Sequence, residues 1–394
     1  MNILQLCNKS PLPPKEGGSI AMFHLAKALI SNGHNVDVLA VTTPKYRPEK
    51  TEIEQYLSQS YSWNQGFIDT HVTIGGAVKA LFSSGAYHVT RFDNDDFRKQ
   101  LILILSQKKY DIVIFETLYM SPYLQDVKQH SEAVCVLRSH NIEHQIWQRV
   151  AANEKNVFKK LYLRHLASRL EQYERKIVGL YDAIACISEA EQIYYRVIAP
   201  GCNATLVPFG MDLNDNLRSV SKGNGFYHIG AMDWMPNIEG VRWLIQEVVP
   251  LLSREPDSPV ITLAGRNMPQ WVYGHTDAVV EVVGEVENAQ AFVDSKSALV
   301  VPLLSGSGIR IKIIEAMAAG KAVISTSIGA EGINVTNKEN IVIADTPQAF
   351  AKAILWLNKN PEIQKQIGEN AAQLIQDQHS YATAYKAFMK VVGK

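Results

Sequence analysis

The sequence predicts an α/β fold of two doubly wound domains, and three observations carry that prediction. Short apolar runs alternate with helix-period segments nearly throughout, the pattern of parallel sheets covered by helices on both faces. The alternation comes as two successive series, over 2–187 and 225–377. The chain's 394 residues also exceed one ordinary core at about 150 residues per domain.

In the first series the strand candidates are 2–7, 35–41, 111–116, 133–137 and 182–187. Helix candidates lie between them at 19–32, 94–107, 119–129 and 156–179, the first closed by Gly33 in a C-terminal capping position. The second series has strands at 225–230, 259–264, 278–283, 298–303 and 322–325, with helices near 237–253, 287–296, 308–319, 347–358 and 361–377. The run from Val207 to Asp212 and the polar stretch up to Asn224 read as the linker. Domains are expected at 1–206 and 207–378, followed by a last helix within 379–394. Pro, Gly, Ser and aromatic residues interrupt every period between Thr43 and Phe92, which reads as an insertion beside a substrate site or as a plain surface excursion.

Composition narrows the function classes. With 46% hydrophobic and 20% charged residues the chain is an ordinary globular protein, and 39 basic against 39 acidic residues give no reason to expect a nucleic-acid partner. Cys7, Cys135, Cys186 and Cys202 lack metal-ligand spacing and read as small core residues. The chain opens into a strand-like run without a charged leader, and no apolar stretch approaches the ~20 residues of a membrane-spanning helix. The expected location is cytoplasmic. The helix at 153–177 carries Lys155, Lys159, Lys160, Arg164, Arg169, Arg175 and Lys176 around an apolar stripe with Phe158, Leu161, Tyr162 and Leu166. A solvated face is the commoner meaning of such a helix, while its basic excess leaves open peripheral contact with anionic lipid at the inner membrane surface or with a phosphorylated carrier.

The most specific chemistry lies at 298–320. The buried run Ala298-Leu-Val-Val-Pro-Leu303 is followed by Ser305-Gly-Ser-Gly308 and then by a helix beginning at Ile309. Ligands of open α/β sheets bind outside the carboxyl ends of the strands, where a helix N-terminus offers unpaired N–H groups to an anion. Arg310 and Lys312 in the first turn would add cations suited to a diphosphate, and Glu315 one turn on could accept hydrogen bonds from ribose hydroxyls. On helix spacing alone, a surface Arg310 and a Lys312–Glu315 pair explain these residues equally well. The two loop glycines tilt the balance toward a ligand. A second loop of this kind, Asn8 to Ser19, sets Gly17-Gly18 at a helix start, where Ser19 also reads as an N-cap.

The segment from Gly306 to Ser325, GSGIRIKIIEAMAAGKAVIS, resembles the donor-binding signature of glycosyltransferase family 4. Met1-Asn-Ile-Leu4 with Gly17-Gly18, Arg138-Ser-His-Asn-Ile-Glu143, Ile229 to Asn237, Leu263-Ala-Gly-Arg266 and Val283-Gly-Glu-Val286 resemble further segments of that family, so the resemblance spans nearly the whole chain.

It implies the GT-B fold, two Rossmann-like domains facing across a cleft with the last helix crossing back to the first. It also implies a retaining transfer without a metal or other cofactor, from a nucleotide-diphosphate sugar donor to a saccharide or glycoconjugate acceptor. Gly17 and Gly18 would approach the donor phosphate and sugar. Arg310 and Lys312 would neutralise the diphosphate, Glu315 would hold the ribose, and the backbone from Gly284 to Val286 would hold the base. Ser307, Gly308 and Ile309 would line the donor loop. His140 would sit near the transferred sugar, whereas the residues alone favour a loop histidine paired with Glu143 or Glu171. There are two departures from the family pattern. Ser307 stands where many members have Glu, and Met232, Glu239 and Gly240 occupy a stretch where many carry Arg and a Lys-Gly pair. The competing functions are a GT-B-type nucleotide-sugar epimerase and a catalytically silent nucleotide- or carbohydrate-binding partner.

Overall fold

The computed structural model describes residues 1–44, 47–71, 86–213, 223–306 and 308–393. Ser307, much of the irregular region between Thr43 and Phe92, and most of the polar stretch before Asn224 lie outside the described residues. The chain divides into two compact units, Met1–Met211 with Tyr381–Lys394, and Asp212–Ser380.

Among the described residues, the sheet of the first unit has seven strands: β1 (Asn2–Cys7), β2 (Asn35–Thr42), β3 (Tyr61–Phe67), β4 (Ile112–Glu116), β5 (Val134–Arg138), β6 (Ala183–Cys186) and β7 (Asn203–Leu206). Their spatial order is β3-β2-β1-β4-β5-β6-β7, every pair parallel. Helices cover both faces, so β4 and β6 are buried along their whole length and read as unbroken apolar runs. The helix Tyr381–Val391 belongs to this unit. It buries Phe388 and Val391 in the core beside β1, while its Tyr381 hydroxyl lies 2.8 Å from His24 Nδ1.

The second unit holds six described strands: β8 (Phe226–Ile229), β9 (Ile261–Ala264), β10 (Val280–Gly284), β11 (Ala298–Val301), β12 (Ala322–Ser325) and β13 (Val342–Ile343). Their order is β10-β9-β8-β11-β12-β13, again parallel throughout. The helix expected at 237–253 is three pieces, an α-helix over Met235–Trp243, a π turn over Leu244–Val248 and a last α turn over Val249–Leu252. Pro250 has no N–H to continue the α ladder.

In both sheets the strand order reverses next to the first strand of the unit, between β1 and β4 and between β8 and β11. Those reversals are where a doubly wound sheet leaves room for a ligand beyond its strand ends.

Candidate functional site

In the second unit, β11 is buried at every residue and delivers the chain to its switch point. Gly306 and Gly308 follow with φ of 109° and 77°, a region that glycine enters without strain and other residues rarely adopt. These two turns delay the helix, which runs over Ile311–Ala318 rather than from Ile309 as the sequence predicts. Arg310 is consequently the N-cap residue, outside the first turn, and Lys312 lies in that turn.

Neither cation is a free surface residue. Arg310 is only 5% exposed, donates from its guanidinium to the Gly308 carbonyl and stands 5.7 Å over the Trp234 ring. Lys312 does not pair with Glu315. Its Nζ donates to the Ile229 carbonyl at 3.0 Å and to Asn237 Oδ1 at 3.1 Å, at the end of β8. Burial, reinforced by the charge of Arg310, pushes the Lys312 ammonium down to about 7. The neighbouring His228 is fully buried with Nδ1 at 2.9 Å from the Val300 carbonyl, and burial followed by the charge of Lys312 pushes it down to about 3. Two neutral carbonyl-type acceptors thus hold a lysine on which the charge of Arg310, of its own sign, acts.

The other predicted donor residues of this unit lie further along the same helix, in the glycine loop and at the end of β10. Glu315 is exposed and makes no hydrogen bond or ion pair among the described residues. Gly308 and Ile309 are half-buried in the loop, and Ser307 lies outside the described residues. Gly284 ends β10 with φ 69°, where a Cβ would meet the Tyr273 hydroxyl at 2.2 Å, and half-buried Val286 follows it. Two residues of the second departure from the family pattern have structural uses. The Glu239 carboxylate accepts from Ser305 Oγ at 2.6 Å, tying the helix Met235–Trp243 to the glycine loop. Gly240 lets that helix approach the loop, since a Cβ there would lie 2.6 Å from the Pro302 carbonyl oxygen.

The switch point of the first unit has the opposite chemistry. Gln5 in β1, Glu116 at the end of β4 and Arg138 at the end of β5 are all buried. Glu116 accepts from Gln5 Nε2 at 2.6 Å, from Arg138 NH1 at 3.2 Å and from His140 Nε2 at 2.5 Å. Burial alone would raise this carboxyl; the guanidinium of Arg138 and the hydrogen bonds from His140 and Gln5 outweigh it and hold Glu116 down to about 2. His140 is lowered by its own burial despite the adjacent carboxylate. A neutral imidazole with its proton assigned to Nε2 fits both directions, and leaves the Nδ1 lone pair as an acceptor. The partner of His140 is therefore Glu116, not Glu143 or Glu171: Glu143 accepts from the Tyr119 hydroxyl at 2.6 Å, and Glu171 is bound by Arg175. Just beyond Glu116, Thr117 holds φ at 74°, a strained value for a β-branched residue at the strand's functional end.

The same cluster fastens the helix that carries the glycine pair. Arg138 NH1 donates to the Ala21 carbonyl at 3.0 Å and Gln5 Nε2 to that of Met22 at 3.1 Å, both in the helix Gly17–Ile30. That helix starts earlier than predicted, with Glu16 as N-cap and no side-chain cap. Ser19 is not the cap, because its hydroxyl donates to the Ser10 carbonyl at 2.8 Å. Open space faces Gly17, and Gly18 packs against the Lys9 side chain, whose Nζ pairs with Glu16 at 3.0 Å. Sequence reading missed Gln5, Glu116 and Arg138. Their signal was a polar residue within, or closing, an otherwise apolar strand.

Known structures share this architecture. Sucrose-phosphate synthase from Thermosynechococcus elongatus superposes with a TM-score of 0.71 at 16% identity, covering 100% of this chain and 98% of that one. HepE of Anabaena, solved in complex with UDP and glucose, gives 0.66 at 12% identity over 99% of each chain. Two parallel-sheet α/β units with these neighbours define a GT-B glycosyltransferase fold. Residues 16–215 match the family described as Glycosyltransferase Family 4 and residues 223–360 that described as Glycosyl transferases group 1, so the chain belongs to glycosyltransferase family 4. Among curated proteins it is 25% identical to an uncharacterised 44.6 kDa protein in the cps region of Klebsiella pneumoniae, over 98% of this chain and 99% of the relative.

Proposed function

We propose that this glycosyltransferase moves a hexose-type sugar from a nucleoside-diphosphate donor to a saccharide or glycoconjugate acceptor, with retention of anomeric configuration, in the making of a cell-surface polysaccharide. The observation that carries the reading is Lys312, a cation held by the Ile229 carbonyl and Asn237 at the switch point beside Arg310, where an anionic ligand would relieve the like-charge contact. The cps-region relative and the UDP bound by HepE support the polysaccharide and nucleotide parts.

In this reading Arg310 and Lys312 stabilise the charge that builds on the diphosphate as the bond from the anomeric carbon to the phosphate oxygen breaks. The acceptor hydroxyl forms the new bond on the same face, and its proton passes to the departing phosphate. Glu315 accepts from the ribose hydroxyls, and the backbone from Gly284 to Val286 takes the base. The glycine loop at 306–309 and Gly17-Gly18 admit the phosphates and sugar, and Nδ1 of His140 meets a sugar hydroxyl. No protein nucleophile and no metal is assigned.

Proton magnetic resonance of a nucleotide-sugar panel with saccharide acceptors tests this. A new glycosidic bond with the donor's anomeric configuration is expected. A new sugar epimer formed from donor alone would establish the epimerase instead, and nucleotide binding without turnover of any donor would establish a binding partner.

A further inference from the structure

The helix Val157–Ile177 has more apolar side chains than its core face uses. Leu163, Leu166, Ala167 and Leu170 are buried. At about 100° per residue, Val157, Phe158 and Leu161 fall on the opposite face. They are 66%, 84% and 57% exposed. The stripe read from the sequence is thus two faces: Leu166 belongs to the core, and Phe158 and Leu161 belong to the surface. These three residues lie where the helix meets its packing partner Glu143–Asn153, at the tip of a helical hairpin that is exposed over most of 148–161, including Val150 at 44%.

Single exposed apolar residues need no explanation, but three large ones within five positions form a patch. Its surroundings indicate what covers it. Arg149, Lys155, Lys159, Lys160 and Arg164 stand around the tip against one acid, Glu154, in a chain whose overall charge is balanced. Lys160 Nζ is held by the Ala152 carbonyl at 2.9 Å, which keeps that charge at the tip. Ile193 and Val197, also exposed in this unit, lie on a helix that carries Arg196 against Glu189 and Glu191, without such a basic excess. Aromatic and aliphatic side chains rimmed by basic residues suit the boundary between headgroups and acyl chains of an anionic bilayer.

We propose that this hairpin tip docks the protein on an anionic lipid surface, with Phe158, Leu161 and Val157 entering the headgroup boundary and the basic rim facing lipid phosphates. The helix Glu143–Asn153 starts three residues after His140, so docking would hold His140 about one helix length, ~16 Å, from the lipid. That placement suits a saccharide acceptor carried on a lipid. This last step rests on the proposed function, whereas docking itself needs neither donor nor acceptor.

Cosedimentation of the full chain with vesicles tests the proposal. Binding is expected to an equal mixture of phosphatidylglycerol and phosphatidylcholine and not to phosphatidylcholine alone, weakening as salt rises. Lys155→Gln with Lys160→Gln should lower partitioning about 25-fold, at about five-fold per lysine. Phe158→Ser with Leu161→Ser should lower it at least about tenfold. All four side chains lie outside the core, and an unchanged unfolding transition in each variant confirms that the fold persists. Absence of binding to the anionic vesicles would overturn the proposal, as would variants that bind like the wild type. A concentration-dependent dimer that Phe158→Ser with Leu161→Ser dissolves would assign the patch to a second copy of the chain instead.

Discussion

The two switch points share a topology and differ in charge. In the first unit an anionic carboxylate, Glu116, lies at the centre with Arg138, His140 and Gln5 arranged around it, and burial is offset by those partners. In the second unit a cation lies at the centre, and what surrounds Lys312 is the Ile229 carbonyl, Asn237, a neutral histidine and another cation. The first cluster pairs its carboxylate within the unit and serves to fix a loop and a helix. In the second, the hydrogen-bond acceptors of Lys312 are both neutral, and an anion beside it would stabilise its charged form. Equivalent positions in one fold type thus separate into a support and, under the proposed function, a receptor for an anion.

The difference can be broken at either end. Arg310→Ala with Lys312→Ala should show the largest effect, a loss of turnover of about 100-fold or more for each cation removed, by comparison with loss of a single oxyanion donor. Initial rates with the best nucleotide sugar measure it. Full activity in the double variant would remove the donor site from these residues.

In the first unit the matching change acts on stability. Arg138→Met leaves the Glu116 carboxylate buried without its guanidinium and should cost about 3–5 kcal/mol in urea unfolding. Adding Glu116→Gln should recover part of that loss, because the stranded charge disappears. A cost under about 1 kcal/mol would mean that the cluster is not the support described here.

Gly240→Ala should have a smaller effect, about 1–3 kcal/mol, since its Cβ would press on the Pro302 carbonyl and push the helix Met235–Trp243 from the glycine loop. Thermal unfolding of that variant measures it, and an unchanged transition would show that the loop yields without cost.

Much of the fold was legible because parallel strands buried on both faces leave continuous apolar runs, as at β4, β11 and β12. Three of the four edge strands, β3, β7 and β13, were not, whereas the edge strand β10 was expected at 278–283. β3, with the sequence YSWNQGF, has a single neighbour and several half-buried positions, so its pattern has neither the unbroken run nor clean alternation. β7 and β13 are edge strands of four and two residues. From Gly306 to Lys312, glycines and cations stand close together in sequence, and their proximity could be read directly. The Glu116 cluster joins Gln5, Glu116, Arg138 and His140, residues brought together only by strand order, and the partner expected for His140 from sequence neighbours was accordingly wrong. The start of the helix at Ile311 was misplaced for a local reason, because helix period says nothing of the positive φ at Gly306 and Gly308.

The central claim is that Lys312 meets a phosphate, and titration calorimetry with UDP on either side of pH 7 tests it most directly. In the free protein burial sets Lys312 at about 7, well below an ordinary lysine. A bound diphosphate favours the charged form and raises it again. Binding should therefore take up about one proton above pH 7, and affinity should fall by up to about tenfold per pH unit in that range. Buffers of different ionisation enthalpy report the proton, and Lys312→Met should abolish both its uptake and the pH slope. Tight binding without proton uptake, or an unchanged slope in Lys312→Met, would contradict the account.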